Sequence, residues 1–258
     1  TSHPLDMDLE LIEAHRDISK LMPYLHLPVQ SGSDNILKLM NRKHTAKDYR
    51  KVIEKVRDFK PDIAISGDFI VGFPGETDKD HQETLNLIKE IQYSQAYSFK
   101  YSVRPGTPAA ISFNQVNEEV KSKRLYEVQE ILREQQLKFN LKSINSSIKV
   151  LVLRNGKKSS QYLGRSPFNQ SVYFSSEHKN LIGSTIDINI LEAFQNSLTG
   201  KIIKPNDQKL WVKLILKNNT HKDEITIEFP NNSLLATIVG NYSINISKLE
   251  KLIDVDLN

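Results

Sequence analysis

The feature that most constrains the fold is an almost continuously apolar stretch, residues 63–71. Such a stretch is typical of a strand that is buried on both faces of a parallel sheet. Helical patterns flank it on both sides. Residues 45–59 keep apolar side chains on one face of a predicted helix. Thr77 and Asp80 resemble a capping box at the start of a second predicted helix, which ends at residue 91. Shorter apolar stretches lie at 24–27 and 96–101. Alternating strands and helices predict an α/β fold with 63–71 at the centre of its sheet.

The pattern changes twice further along the chain. Residues 117–144 predict a long helix, and its apolar stripe comprises Val120, Leu125, Val128, Ile131, Leu132 and Leu137. After residue 148 the period becomes two, which predicts a small β-barrel with strands at 148–153, 161–165, 171–174 and 186–191. The last part predicts two strands and then two helices, at 211–217, 225–229, 234–239 and 246–253. The predicted domains are therefore 1–147, 148–203 and 204–258.

Composition excludes several classes of site. The chain has no cysteine, so its own residues provide no disulfide, no thiolate zinc site, no cysteine nucleophile and none of the usual iron–sulfur ligands. It has no apolar stretch long enough for a membrane span and no signal-peptide pattern at its start. We therefore expect a cytoplasmic protein without a membrane partner.

The positive charge is concentrated in the predicted barrel. Residues 1–147 contain 21 basic side chains (Lys and Arg) and 21 acidic ones (Asp and Glu). Residues 148–203 contain 7 basic and 3 acidic side chains, and residues 204–258 contain 7 of each. The whole excess of +4 therefore lies in the middle segment. A local positive field attracts phosphate, which indicates a nucleic-acid contact there. A solvated basic face without a ligand is the alternative.

Polar loops follow each of the three predicted parallel strands, at the carboxyl ends where α/β proteins place ligands. The residues of each single loop are ones that ordinary turns commonly contain, so one loop by itself does not indicate a binding site. The three loops together do indicate one. The chain has no P-loop, no dinucleotide-binding glycine motif and no compact histidine spacing for a metal. Asp34 and Glu76 would form a catalytic pair only if the fold brought them together.

Four stretches in this order resemble one family, the radical SAM methylthiotransferases: 25–33, 40–42, 68–77 and 101–109. The resemblance continues through 163–166, Asn169, Val172, 182–183 and 197–200, which look like the TRAM domain of these enzymes. It implies the C-terminal part of a partial, TIM-like (β/α)6 barrel followed by a small all-β TRAM barrel and a small α/β tail.

The resemblance also implies chemistry. Family members use S-adenosylmethionine (SAM) and two [4Fe-4S] clusters, and the group most similar to this chain adds a 2-methylthio group to N6-isopentenyladenosine beside the tRNA anticodon. Sister groups act on threonylcarbamoyl-adenosine or on a ribosomal protein. By position, the SAM or substrate side of the barrel would comprise Gln30, Ser31, Ser33, Asp68, Ile70, Gly72, Tyr101 and Arg104. The phosphate contacts to the anticodon stem-loop of tRNA would be Arg154, Lys157, Lys158 and Arg165.

The sequence departs from the family in two respects. Family members carry six cluster cysteines in their amino-terminal parts, and this chain has none. We therefore expect no catalytic residue for the cluster chemistry here and no activity of the chain alone, unless a separate cysteine-bearing fragment joins it. An RNA-binding remnant or module without catalysis is the alternative. The tail from about residue 208 is similar instead to the KH-like start of PhoH-like proteins.

Overall fold

The computed structural model describes the backbone of residues 2–203, 210–217 and 222–229, and side chains up to residue 203. Three parallel strands form one sheet in the order β1-β2-β3: β1 Tyr24–His26, β2 Ala64–Val71 and β3 Gln95–Lys100. The helices are α1 Leu9–Asp17, α2 Asp34–Leu39, α3 Ala46–Phe59, α4 Asp78–Ile91 and α5 Glu118–Leu141. Two 3-10 turns, Pro4–Asp6 and Pro108–Ile111, complete this part. The predicted α/β class is confirmed, and β2 is the central strand.

One face of the sheet carries the core. Leu25 of β1 and Ile65, Phe69 and Val71 of β2 belong to a single buried apolar cluster. The helices α3, α4 and α5 contribute to the same cluster, with Tyr49, Leu87 and Val128 among its least exposed members. Side chains alternate across a strand, so the odd-numbered residues of β2 face these helices and the even-numbered ones face the other way.

Local signals place the helix starts as the sequence predicts. Thr45 and Asp48 form a capping box at α3, and Thr77 and Asp80 form another at α4. In each box the threonine hydroxyl accepts from the backbone of the third helical residue, while that residue's carboxylate accepts from the threonine N–H. Both helices therefore begin with satisfied backbone donors.

The predicted apolar stripe of α5 is wrong at its two ends. Val120 and Leu137 are 37% and 38% exposed, whereas Lys121 and Arg124 are buried. The physical reason is an ion pair that the local pattern does not reveal. Arg124 donates from Nη1 to Glu76 Oε1 at 2.9 Å, so this part of the helix faces the turn after β2. The middle of the stripe, including Val128 and Leu132, is buried as predicted.

Five strands form a closed barrel in the order β4-β5-β6-β8-β7. They are β4 Ser147–Asn155, β5 Gln161–Arg165, β6 Ser171–Ser175, β7 Thr185–Ala193 and β8 Leu198–Ile202. Their inward side chains alternate with exposed ones, and Val150, Val172 and Ile188 are fully buried. The predicted barrel is confirmed, with β8 as a strand that the sequence analysis did not name.

A buried polar network joins α5 to the barrel. Asn140 donates from Nδ2 to the carbonyl oxygens of Phe194 and Gln195, at 2.8 and 2.9 Å. Gln170 donates from Nε2 to Asn140 Oδ1 at 2.9 Å and to Ser143 Oγ at 3.2 Å. Because such groups are costly to bury without partners, the network holds the barrel in one position on the helix.

Residues of the chain group into two compact units, Thr1–Lys201 and Ile202–Asn258. The barrel thus lies in the same unit as the parallel sheet, and the three-domain division stays a prediction. In the second unit, β9 Leu210–Lys217 and β10 Lys222–Phe229 pair antiparallel, as the two predicted strands require. The predicted helices at 234–239 and 246–253 lie outside the described residues. Among the described helices, none is both long and apolar enough to cross a membrane.

His44 is a buried histidine between α2 and α3. It is 3% exposed, and its ring packs edge-on against that of His3 with the centroids 5.4 Å apart. Burial lowers the pKa of His44 from 6.5, and the charges of His3 and Arg42 lower it further, with Asp48 opposing them. The folded state therefore favours the neutral ring.

We expect this histidine to destabilise the protein in mild acid. The pKa of His44 is lower in the folded state than its value of 6.5 in the unfolded state. The folded state therefore has its full stability above pH 6.5 and loses stability as the pH falls through the folded-state pKa. The variant His44→Gln should accordingly lose less stability than the wild type between about pH 7 and about pH 5. Urea denaturation midpoints at the two pH values measure the difference, and equal losses would contradict the expectation.

Candidate functional site

The second face of the parallel sheet is partly open. Its members come from alternate positions of the three strands, and the strand register sets Asp68 beside Tyr97 and Ile70 beside Phe99. Exposure rises towards β3, where Tyr97 is 48% and Phe99 is 55% exposed. We call this set the open sheet face: His26, Ser66, Asp68, Ile70, Gln95, Tyr97 and Phe99. It combines a carboxylate, an imidazole and two aromatic rings on rigid strands.

His26 and Asp68 form the polar centre of the open sheet face. His26 Nε2 lies 3.4 Å from Asp68 Oδ2, and its Nδ1 lies 3.0 Å from Ser66 Oγ. Both side chains are partly exposed to solvent, His26 by 19% and Asp68 by 27%. The sequence motifs predicted Asp68 as a ligand-binding residue but not His26. His26 lies within the 25–33 stretch, but the pairing of β1 with β2 was needed to place it beside Asp68.

Gln30, Ser31 and Ser33 follow β1 and are buried. Gln30 adopts a φ of 77° and extends the pairing, since its N–H donates to Asp68 O and its carbonyl accepts from Ile70 N–H, both at 2.9 Å. Ser31 Oγ lies 3.2 Å from Thr84 Oγ1, and Ser33 Oγ donates to Asp80 at 2.5 Å. The two hydroxyls therefore bond the loop to α4. Their predicted role in binding SAM or substrate stays a prediction.

Hydrogen bonds to other residues of the chain stabilise the turn after β2. The Gly72 N–H donates to Glu76 Oε1 at 2.9 Å, and the Gly75 N–H donates to Asn114 O at 2.8 Å. Gly72 has a φ of 69°, and an added Cβ would lie 2.3 Å from Lys121 Cγ. Only glycine fits this position. Both amides already have partners, so the expected ligand role of Gly72 stays a prediction.

Tyr101 and Arg104 follow β3. The ring of Tyr101 packs edge-on against Phe73 at 5.0 Å between centroids, and Lys121 Nζ lies 5.7 Å from its centroid. Its hydroxyl is buried and has no hydrogen-bond partner in the described part of the chain. Arg104 is exposed in the next loop. The tyrosine hydroxyl is therefore a buried donor that the described residues leave unsatisfied.

The proposed carboxylate pair does not share an environment. Asp34 Oδ1 accepts from the Ala46 N–H at 2.7 Å and helps to begin α3. Glu76 is buried with Arg124, and burial raises the pKa of Glu76 although the Gly72 N–H and the Arg124 charge act in the opposite direction. Each carboxylate has its own structural partner.

The four predicted phosphate contacts separate into two places on the barrel. Arg154 lies at the exposed end of β4, and Lys157 and Lys158 lie in the turn that follows it. Arg165 lies at the other end of β5, half-buried, where its Nη1 donates to Asn169 O at 2.9 Å. The structure therefore does not bring all four together, and their contact with RNA stays a prediction.

Residues suited to holding a metal are absent from the described part. No group of three or more histidine, aspartate or glutamate side chains is placed to hold an ion among residues 2–203. Cysteine is absent from the whole sequence. The side chains present therefore do not fit an iron–sulfur cluster.

Comparison with known proteins finds similar sequences for most of the chain. Residues 1–88 match the model of the radical SAM superfamily. The chain is 52% identical over 203 residues to "tRNA-2-methylthio-N(6)-dimethylallyladenosine synthase" of Rickettsia rickettsii, and 52% identical over 205 residues to the protein of the same name from Ehrlichia chaffeensis. It is also 52% identical over 204 residues to that of Erythrobacter litoralis.

Each match covers 79% of this chain, whereas the chain spans only 46%, 46% and 45% of these relatives in turn. It therefore corresponds to slightly under half of each of them. These matches agree with the resemblance of the motifs in residues 25–109, whereas the TRAM-like and PhoH-like resemblances stay predictions. Residues 1–88 are thus similar to the radical SAM superfamily, and about four fifths of the chain is similar to tRNA-2-methylthio-N(6)-dimethylallyladenosine synthases.

Proposed function

We propose that this chain is part of a tRNA methylthiotransferase that adds a 2-methylthio group to N6-isopentenyladenosine beside the anticodon. The observation that carries the proposal is the 52% identity over 203 residues to enzymes named for this product. A partly open, polar sheet face within one compact unit with a basic barrel supports it, because it offers a site for a reacting base beside a surface for RNA. Such an enzyme would act in the cytoplasm.

The barrel supplies the RNA-binding part of the proposal. It is closed and five-stranded, as a TRAM domain would be, and residues 148–203 carry the net charge of +4. Exposed Arg154, Lys157 and Lys158 would contact phosphates of the anticodon stem-loop. Such contacts fix the position of an RNA without reading its sequence.

The open sheet face fits SAM. The amino group of SAM is a cation, and the partly exposed Asp68 carboxylate beside His26 suits it. The Tyr101 hydroxyl is buried and has no partner among the described residues, so a ribose or carboxylate oxygen that reached it would satisfy it. With Arg104 in the neighbouring loop, these residues would hold the cofactor, which supplies the radical and the methyl group of this family's chemistry.

The iron–sulfur clusters do not fit the residues present here. Their cysteine ligands must come from residues outside these 258, either in a longer polypeptide or in a separate fragment. The chain by itself would then bind RNA and SAM without turnover. This makes RNA binding without catalysis the second candidate function, and the observation that favours it is the absence of cysteine.

A chimera tests the proposal. The chain is joined to the preceding, cysteine-bearing part of the Rickettsia rickettsii relative and expressed in cells that lack their own synthase. We expect 2-methylthio-N6-isopentenyladenosine to return to the tRNA, as measured by mass spectrometry of its nucleosides, and the chain alone to leave the tRNA unmodified. The relative's intact synthase is the positive control.

Each other outcome has a definite meaning. A methylthio group on threonylcarbamoyl-adenosine or on a ribosomal protein would move the chain to a sister group. An inactive chimera whose chain still binds tRNA would favour the RNA-binding function. Modification by the chain alone would contradict the requirement for external cysteines.

A further inference from the structure

Two adjoining clefts run along β3 and α5. The first encloses about 130 Å³ and reaches Arg165, Phe168 and Asn169 on the barrel. The second encloses about 310 Å³ and reaches Tyr97 and Phe99 on the open sheet face. The clefts have three lining residues in common, Gln95, Gln136 and Asn196. They therefore form one groove, here named the β3 groove, which leads from the barrel to the open sheet face.

The lining of the β3 groove is polar, aromatic and free of negative charge. No aspartate or glutamate is among its described lining residues, although 26% of the whole chain is charged. Its cations are Arg165 and Arg133, and the latter pairs with Glu130 outside the groove. Carboxamides of Gln129, Gln136 and Asn196 supply donors and acceptors along its length.

This combination matches unpaired RNA. Single-stranded nucleic acid is bound by cations that contact phosphates and by aromatic rings on which bases stack, with amides that bond to base edges. Tyr97 and Phe99 present exposed rings at one end of the groove, and Phe168 lies at the other. A basic peptide would find no carboxylate to pair with, so the lining favours RNA over a protein segment.

We propose that the β3 groove guides a single-stranded segment of RNA from Arg165 on the barrel to the Tyr97 and Phe99 rings. The inference rests on the proposed function, since it supplies the path by which an anticodon loop reaches the open sheet face. The groove is preformed, because Asn140 and Gln170 of its wall also belong to the network that holds the barrel on α5. Arg165 is thereby a loop contact, distinct from the stem contacts of Arg154, Lys157 and Lys158.

The first test removes a stacking ring. Binding of the full chain to a fluorescent RNA stem-loop is measured by anisotropy, with the same stem as a blunt duplex for comparison. We expect Phe99→Ala to weaken stem-loop binding by between about 5-fold and about 150-fold, as for loss of one stacked base, and to leave duplex binding unchanged. The matched control is Phe194→Ala, which removes a ring that is 51% exposed, against 55% for Phe99, and that does not line the groove.

The second test adds charge without changing shape. Gln129→Glu with Gln136→Glu places two carboxylates in the groove, and we expect about a 10-fold or greater loss of stem-loop affinity at low salt. Gln82→Glu with Gln92→Glu gives the same net charge at positions outside the groove and should change affinity little. Circular dichroism of all variants confirms that they fold.

The outcomes separate the two proposals. Stem-loop binding that is salt-sensitive but equally affected by groove and control variants would overturn the groove and leave RNA binding intact. A wild-type chain that binds neither stem-loop nor duplex would overturn the RNA part of the proposed function, and the groove with it. Selective weakening by the groove variants supports both.

Discussion

The variant Arg124→Met is expected to unfold with a free energy lower by about 3–5 kcal/mol, because it leaves a buried carboxylate without its cation. The Arg124 side chain is 6% exposed, and its Nη1 lies 2.9 Å from Oε1 of Glu76, whose side chain is 2% exposed. The same nitrogen donates to Glu76 O at 3.1 Å, and Nη2 donates to Asp78 at 2.7 Å. This guanidinium therefore joins α5 to the turn after β2.

The stability lost in Arg124→Met should depend on pH. Burial already raises the pKa of Glu76 in the wild type, and removing the opposing charge of Arg124 raises it further. A raised folded-state pKa favours the neutral acid, so its contribution to stability is present at low pH and is lost as the pH rises through the folded value. We therefore expect the deficit of Arg124→Met to be larger at about pH 8 than at about pH 5.

Two controls isolate the buried pair. Arg133→Met removes an arginine from an exposed pair with Glu130 on the same helix and should cost less than about 1 kcal/mol. Glu76→Gln combined with Arg124→Met removes the orphaned charge and should recover part of the stability. Urea denaturation measures all three, and equal losses for the two arginine variants would contradict a special role of Arg124.

The variant Gly32→Ala is expected to lose about 3 kcal/mol of stability through a clash with backbone. A Cβ at Gly32 would lie 2.5 Å from Glu83 O and 2.6 Å from Thr84 Cα. Neither atom can move without displacing α4, and the Gly32 N–H also donates to Thr84 Oγ1 at 3.0 Å. Ser31 and Ser33 flank this contact, so the loop at the end of β1 should loosen as well.

Gly106→Ala is the matched control, since Gly106 has a φ of 82° but nothing within 4 Å of an added Cβ. It should cost only the left-handed backbone strain of about 1 kcal/mol. Thermal or urea unfolding compares the two variants, and hydrogen exchange reports on residues 31–33. A loss at Gly32 no greater than at Gly106 would show that α4 yields to the added methyl group.

Sequence patterns predicted most elements because their signals are local. The apolar stretch of β2, the capping boxes of α3 and α4 and the two-residue period of the barrel each depend on neighbours along the chain. The strand β8 was missed because Leu198–Ile202 contains Thr, Gly and Lys, and only its pairing with the neighbouring barrel strands β6 and β7 makes it a strand.

The candidate site was predicted in part. Motif order indicated a family and predicted Asp68 and Tyr101 as ligand-binding residues, but it could not tell hydroxyls that bind a ligand from hydroxyls that stabilise the fold. Ser31 and Ser33 bond to α4 through Thr84 and Asp80, about fifty positions away. His26 was missed for the same reason, since its partners Ser66 and Asp68 lie about forty positions away.

The sequence by itself determined the α/β class, the barrel, the family resemblance and the absence of cluster ligands, because these follow from residue types and their spacing. Tertiary structure alone decided that Lys121 and Arg124 are buried and that Arg165 is separated from Arg154, Lys157 and Lys158. It also joined the barrel to the open sheet face through the β3 groove. The physical reason is that burial, ion pairing and grooves depend on which distant segments pack together, and no local pattern records that.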